Sequence, residues 1–250
     1  MKDNFSNQSE EYARFRPAYP QEVYSFLRTL LSSRGNAWDV GTGNGQVAIE
    51  LSRFFDQVYA TDISQTQLDQ AARKDNVFYS LQAAEKTNFQ DGIFDLCMVA
   101  QAIHWFDCEA FYLEVNRTAR GKALIVVMGY GLIRINPALD NVIDYFYTEI
   151  IGPYWDKERK YVDEGYKTIP FPFKEISVPD FKMFYHWTFQ HLMGYLSTWS
   201  AVKHFQRENG KNPLDIVYKD LNEKWGGEKT KKVSFPFFLR VGTRGRRLIS

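Results

Sequence analysis

The chain has 250 residues, 44% of them apolar and 24% charged, and its 31 basic against 30 acidic side chains leave a net charge of +1. That balance excludes disorder, a collagen-like fibre and a global field able to collect nucleic acid or an anionic membrane. No apolar run approaches the ~18 to 20 residues of a membrane helix, and the first 15 residues lack the basic-then-apolar order of a signal peptide, so a cytoplasmic protein is expected. The two cysteines, Cys97 and Cys108, are too few for a disulfide framework, a structural zinc site or a clustered iron–sulfur motif, and no metal is assigned. Aromatic residues make up 16% of the chain, more than a core alone demands.

A polar, aromatic-studded lead-in ends in a helix that Pro20 opens, with Val23, Phe26, Leu27, Leu30 and Leu31 recurring at spacings of three and four. Arg34, Gly35 and Asn36 stop it. A short strand at 37–40 runs into a glycine-rich turn at 41–45, followed by a helix at 46–55. Strands are predicted at 58–61 and 77–82, with a helix at 65–72 between them. The nearly continuous apolar run 94–100 reads as a strand buried on both faces of a parallel sheet. A helix at 108–117 and a further buried strand at 123–128 close the series. Strand and helix alternate from 37 to 128 in units short enough for right-handed crossovers, which predicts a doubly wound α/β sheet. Beyond 130 the pattern predicts a helix at 138–151, a strand at 181–189, helices at 192–205 and 213–225, and a strand at 233–240. With no linker composition in view, one domain is expected over 1–250: an N-terminal lid and helix at 1–34, a ligand-binding core at 35–129, an insertion or cap at 130–180, and completion of the sheet at 181–250.

Asp39-Val40-Gly41-Thr42-Gly43-Asn44-Gly45 lies between the first strand and its helix, where ligands bind at the carboxyl ends of parallel strands. Three glycines let the backbone approach a ligand and expose amide N–H groups at a helix start. A dinucleotide fingerprint would place its third glycine where Gln46 stands, and no Gly-Lys-Ser/Thr follows, so neither a nicotinamide fingerprint nor a P-loop is present. At the end of the second strand, Asp62 is placed to accept both hydroxyls of a ribose. Ala84 and Glu85 follow the third strand, where a polar side chain can reach an adenine ring.

These residues, together with Gln101-Ala102-Ile103-His104-Trp105-Phe106-Asp107, resemble in order the class I S-adenosylmethionine-dependent methyltransferases. Outside the core, Tyr12-Ala13-Arg14-Phe15-Arg16-Pro17-Ala18-Tyr19-Pro20, Pro153-Tyr154-Trp155-Asp156-Lys157-Glu158-Arg159 and Tyr195-Leu196-Ser197-Thr198-Trp199-Ser200-Ala201 resemble the small-molecule branch that includes trans-aconitate methyltransferases. The resemblance implies a Rossmann-like, mostly parallel seven-stranded sheet with a helical and aromatic C-terminal cap. It also implies S-adenosylmethionine as cofactor, its methionine portion over Asp39, Gly41, Thr42, Gly43 and Gly45, its ribose at Asp62, and its adenine between Ile63 and Ala84-Glu85. Gln101 and Ala102 would line the methionyl end.

Methyl transfer from a sulfonium is an in-line displacement, so the protein must align the reactants, exclude water and match moving charge. A carboxylate acceptor needs no base. A hydroxyl or amine acceptor does, and His104, just past the fourth strand, is the candidate. For a small-molecule acceptor the candidates are Arg16 between Tyr12 and Tyr19, Trp105 beside His104, and Arg159 beside Trp155. Arginine's planar fork suits a carboxylate. Trp199 reads as core. The segment 229–250, with seven Lys or Arg residues and no acid, keeps a nucleic-acid methyltransferase in view as an alternative, as fold alone keeps a non-enzymatic nucleoside-binding protein. Oligomeric state is not readable from the sequence.

Overall fold

The computed structural model describes residues 14–244. Helix α1 (Gln21–Leu30) leads into strand β1 (Asn36–Val40), helix α2 (Gln46–Leu51), strand β2 (Gln57–Asp62), helix α3 (Gln65–Asp69), strands β3 (Val77–Leu81) and β4 (Phe94–Ala100), helix α4 (Cys108–Thr118) and the long strand β5 (Ala119–Tyr130). The second half contributes α5 (Pro137–Tyr145), the short α6 (Arg159–Asp163), β6 (Lys174–Ile176), β7 (Met183–Trp187), α7 (Phe189–Ser197), α8 (Ser200–Asn209), α9 (Leu214–Trp225), β8 (Lys231–Phe235) and β9 (Phe237–Thr243).

Seven strands form one sheet in the order β3-β2-β1-β4-β5-β9-β6, parallel from β3 through β5, with β9 antiparallel to both of its neighbours. Strand order reverses between β1 and β4, and a crevice opens there at the carboxyl ends. Side chains alternate by face along the central strands. Leu96 and Met98 of β4, with Leu124, Val126 and Met128 of β5, enter one core layer; Cys97, Val99, Ile125 and Val127 enter the other. Both faces are apolar because helices cover both.

Trp38 anchors the second layer, its ring stacked on Phe94 at 5.6 Å and its Nε1–H donated to Thr61 Oγ1 at 2.9 Å. Asp95 holds the opposite end of the sheet. Its buried carboxylate accepts the amides of Gly35 and Asn36 at 2.9 and 3.0 Å and pairs with Arg120 at 2.7 Å, joining the starts of β1, β4 and β5.

The C-terminal half departs from expectation in three places. The seventh strand is β6, within 130–180, a segment expected to hold only an insertion or cap; its three residues alternate too briefly to show a period. The strand near 181–189 does not join the sheet. It pairs as β7 with β8 in a separate antiparallel ribbon, and Pro236, which has no amide N–H to donate to a ladder, stands between β8 and β9 and divides the predicted 233–240 strand. The predicted helix at 192–205 is two helices, α7 and α8, parted at Thr198 and Trp199. These elements still share the first core layer with the sheet through Leu192, Tyr195, Leu196, Trp199, Val202, Val217 and Trp225, so they roof the carboxyl edge as part of one core. Among the described residues no helix is long and apolar enough to cross a membrane.

Replacing Asp95 by alanine strips the acceptor from two backbone amides and from Arg120 at once. A loss of about 3 kcal/mol in unfolding free energy is expected, read by thermal or denaturant unfolding, with asparagine costing less.

Candidate active site

The turn after β1 depends on left-handed backbone. Gly41, Gly43 and Gly45 have φ of 65, 56 and 82°, a region that L side chains rarely adopt. Two also lack room: a Cβ on Gly41 would lie 2.7 Å from Ala102 Cβ, and one on Gly45 would collide with the Tyr79 hydroxyl. The coiled turn points the Gly43 amide at Asp62, whose Oδ2 accepts it at 2.8 Å, while Oδ1 accepts the Ser64 amide at 2.9 Å. The Thr42 amide bonds to Thr61 O at 2.9 Å, so the turn is tied to the end of β2 twice.

Asp39 lies beneath the turn. It is buried, and its Oδ2 accepts the Thr42 hydroxyl at 2.5 Å. Burial raises its pKa to about 7, with the nearby Asp62 carboxylate adding to the rise and the Thr42 hydrogen bond opposing it.

A cavity of about 120 Å³ opens above these groups. Its walls take Asp39, Gly41, Thr42, Gly43, Asp62 and Ile63 from the first two strand ends, Gln101, Ala102 and Trp105 from beyond β4, and Arg16 and Tyr19 from the segment before α1. Gln46, directly after the glycine turn, and Phe106, within the 101–107 stretch, also line it, as do Gln67 and Tyr130, whose sequence context does not announce that role. Gly45 serves from outside the lining, as the left-handed residue that starts α2.

Ala84 and Glu85 stand elsewhere. Ala84 is buried in the second core layer, and Glu85 accepts the Asp107 amide at 3.1 Å, ahead of the helix that Asp107 caps; neither reaches the cavity wall. Tyr12 lies outside the described residues.

A smaller cavity of about 50 Å³, room for roughly three to five water-sized groups, adjoins the first and shares Arg16, Gln101 and Trp105 with it. His104, Trp155, Asp156 and Arg159 complete its polar and aromatic wall. Arg16 is held between elements, with Nη1 donating to the Tyr130 hydroxyl at 3.3 Å and Nη2 to Thr198 O at 3.2 Å. Arg159 packs over Trp155 at 4.7 Å and donates Nε–H to the Tyr147 hydroxyl at 2.7 Å and to Asp163 at 3.2 Å. Among the described residues its Nη1 and Nη2 have no hydrogen-bond partner. Trp199 is core, in ring contact with Phe146, Tyr147, Trp155 and Tyr195.

His104 sits in a single 3-10 turn, Ile103–Trp105, with Nδ1 2.8 Å from the Tyr166 hydroxyl. Burial, helped by Arg159, lowers its pKa to about 3, so the ring is neutral at physiological pH. Tyr166 was not singled out in the sequence; only the preceding Gly165 marks a turn there.

Three of the seven basic residues of the C-terminal run, Lys231, Arg240 and Arg244, are used within the fold. Lys231 pairs with Glu228, Arg240 with Glu175 and Ile169 O, and Arg244 donates to Ala119 O. Lys229 and Lys232 are exposed, and Gly245 onward lies outside the described residues.

Fold and cavity together define an α/β protein with a cavity at the switch point of its sheet. Comparison with known proteins narrows the class. Residues 38–127 match the family described as a methyltransferase domain. A Dictyostelium discoideum protein named as a methyltransferase is 34% identical over 245 residues, covering 95% of this chain and 93% of that protein. The structure of an Anaeromyxobacter dehalogenans protein named as a type II methyltransferase is 37% identical, with a TM-score of 0.83 over 92% of this chain and 98% of that one. A yeast protein named as S-adenosylmethionine-dependent methyltransferase CRG1 is 24% identical over 139 residues, 52% of this chain and 47% of that protein. The chain belongs to the methyltransferase family.

The buried carboxyl gives one pH signature. The folded chain holds a proton on Asp39 that the unfolded chain has already released between about pH 4 and about pH 7, so stability falls as pH rises through that window and levels off above it. Asp39→Asn removes this term. Its melting temperature should gain on that of the wild type across the window, by the equivalent of at most about 4 kcal/mol at roughly 1.4 kcal/mol per pH unit; a constant difference would refute the buried-acid account.

Proposed function

We propose that the chain transfers the methyl group of S-adenosylmethionine to an oxygen of a small anionic acceptor, in the small-molecule branch that resembles trans-aconitate methyltransferases. The observation that carries this reading is the charge pattern of the two adjoining cavities. The larger one presents two carboxyl groups, Asp39 and Asp62, and one guanidinium, Arg16. S-adenosylmethionine carries the complementary set: a sulfonium, an ammonium and one carboxylate. A dinucleotide would bring a diphosphate against those two carboxyl groups, which disfavours it electrostatically. The glycine turn fits as well, since it leaves backbone exposed where a Cβ could not stand.

When bound, the cofactor supplies a methyl group on a positively charged sulfur leaving group. Asp62, which accepts the Gly43 and Ser64 amides, would hold the ribose hydroxyls. Arg159 and Arg16 draw an anion into the smaller cavity, whose formal charge from Arg16, Arg159 and Asp156 is +1, matched to a single anionic group. Trp105 and Gln101, common to both cavities, form the passage across which donor and acceptor meet. In the transfer, the acceptor oxygen's lone pair would form the new oxygen–carbon bond while the electron pair of the carbon–sulfur bond would go to sulfur. A carboxylate loses no proton in that step. A hydroxyl acceptor would need His104 to take one.

S-adenosylhomocysteine should raise the melting temperature of the chain and NAD should leave it unchanged; the opposite pattern would discard the cofactor assignment. Asp62→Ala should abolish the shift, since each hydrogen bond to a charged group contributes about 1.5 to 3 kcal/mol. A screen of small carboxylic acids, phenols and amines for cofactor turnover then identifies the acceptor. Carboxylic acids are expected to respond, and Arg159→Ala should raise KM for them more than it lowers kcat.

A further inference from the structure

Helix α7 carries a glycine that its backbone does not require. Gly194 stands inside the helix and outside the left-handed region, where alanine would favour the helix more, so a packing reason is called for. The place of the missing side chain is taken by a ring from the segment before α1. A Cβ on Gly194 would lie 2.5 Å from Phe15 Cε1 and 2.6 Å from its Cδ1 and Cζ. His191, one turn earlier, meets the same ring edge to face, with centroids 5.4 Å apart and planes at 86°. Its Nε2 lies 3.2 Å from Phe15 O, and because a carbonyl oxygen can only accept, His191 is the donor.

The same face of α7 receives the next residue. His191, Gly194, Tyr195 and Thr198 recur at the three- and four-residue spacing that aligns positions along one side of a helix. Arg16 lays its guanidinium over the Tyr195 ring at 5.4 Å and donates to Thr198 O at 3.2 Å. Two residues on, the Tyr185 hydroxyl of β7 donates to Ala18 O. Residues 16–20 belong to no helix or strand, so their path is set by contacts with the elements they cross. Phe15 and Arg16 rest together on α7, and from there Arg16 reaches the wall of both cavities.

We propose that Gly194 and His191 are positioning residues for the acceptor: they seat Phe15 on α7 and thereby place Arg16 at the boundary the two cavities share. Neither residue lines either cavity, so both act through Phe15. Phe15 and Arg16 are consecutive, and a ring pushed out of the Gly194 notch carries the Arg16 backbone with it. Alanine at 194 therefore separates two effects, favouring the helix while evicting the ring. Removing His191 takes away the donor to Phe15 O and the ring that Phe15 packs against. The consequence for an anionic acceptor rests on the methyl-transfer reading, whereas the seating of Phe15 does not.

Limited trypsin digestion of the full chain, read by mass spectrometry, tests the seating without any ligand. Trypsin can cut after Arg14 but not after Arg16, which Pro17 follows, so the Arg14–Phe15 bond reports local release of the segment. Gly194→Ala should be cut there faster than wild type, with its other sites cut at wild-type rates; an unchanged rate in the folded variant overturns the notch. With a carboxylic acid from the screen, Gly194→Ala, His191→Ala and Phe15→Ala should each raise the acceptor's KM about ten-fold or more, the scale of one hydrogen bond to a charged group, and change kcat less. Faster cutting with an unmoved KM overturns the placement of Arg16. Phe15→Ala removes only a partly exposed ring and decides the same point if Gly194→Ala does not fold. In an Arg16→Ala background, Gly194→Ala should raise KM no further; a second rise of equal size means that the glycine acts on the helix alone, and overturns the proposal. Failure of S-adenosylhomocysteine to bind wild type would remove the methyl-transfer reading, and the trypsin result would still decide the seating of Phe15.

Discussion

The site depends on one carboxylate reaching across from the end of one strand to the turn that follows its neighbour. Asp62 ends β2 and accepts the Gly43 amide from the turn after β1. Register makes this possible: β1 and β2 pair in parallel with Val40 opposite Thr61, so the two chains leave the sheet side by side. For the amide to face Asp62, the turn must coil through three left-handed residues within five positions, which in an L chain calls for glycine. The same coiling brings Gly41 against Ala102 and Gly45 against Tyr79, so strands β1, β2, β3 and β4 all meet at this turn. A substitution there strains the contact with each of them. A single local geometry thereby sets both the cavity floor and the packing of the switch point.

That geometry also accounts for what was legible in the sequence. A left-handed turn between parallel strands leaves glycines at fixed places, and buried central strands leave unbroken apolar runs, so 37–128 and its ligand edge could be read from residue types alone. Asp62 could be placed at the cavity because it ends the strand beside the glycine turn. The second half followed different rules. β6 is three residues long, too short for any periodicity, and the β7–β8 ribbon alternates as a sheet strand would, so pattern alone could not say which ladder it joins. Pro236 was the available sign that the last apolar run is two strands.

The smaller cavity was half legible for a related reason. Arginines and aromatics near 153–159 could be seen, but their meeting with His104 is set by a long connection whose path the residues do not encode locally. Tyr166 had no motif around it, and its importance arises from a contact 62 positions away. Ala84-Glu85 stands apart from the cavity for a reason the sequence also hid. Position after a strand suggested a ligand contact, but β3 is an edge strand two places from the switch point, and the Glu85 carboxylate is bonded to the Asp107 amide, ahead of helix α4. Proximity to a strand end is informative in proportion to how near that strand lies to the crevice.

The aromatic excess acquires a physical role from this arrangement. Trp155, Tyr147 and Trp105 surround the guanidinium of Arg159 and the ring of His104, and the burial they impose keeps the imidazole neutral. On the proposed reading, a cationic sulfonium and an anionic oxygen combine to give two neutral products. Charge is lost along the reaction, and water, which solvates the separated ions best, opposes it. An enclosed aromatic site lowers that solvation and lets a few fixed donors hold the anion in its place. A protonated histidine would stabilise the anion before transfer and so raise the barrier, whereas a neutral imidazole leaves the oxygen its nucleophilicity. The ring-rich roof and the uncharged imidazole are then two parts of the same electrostatic requirement.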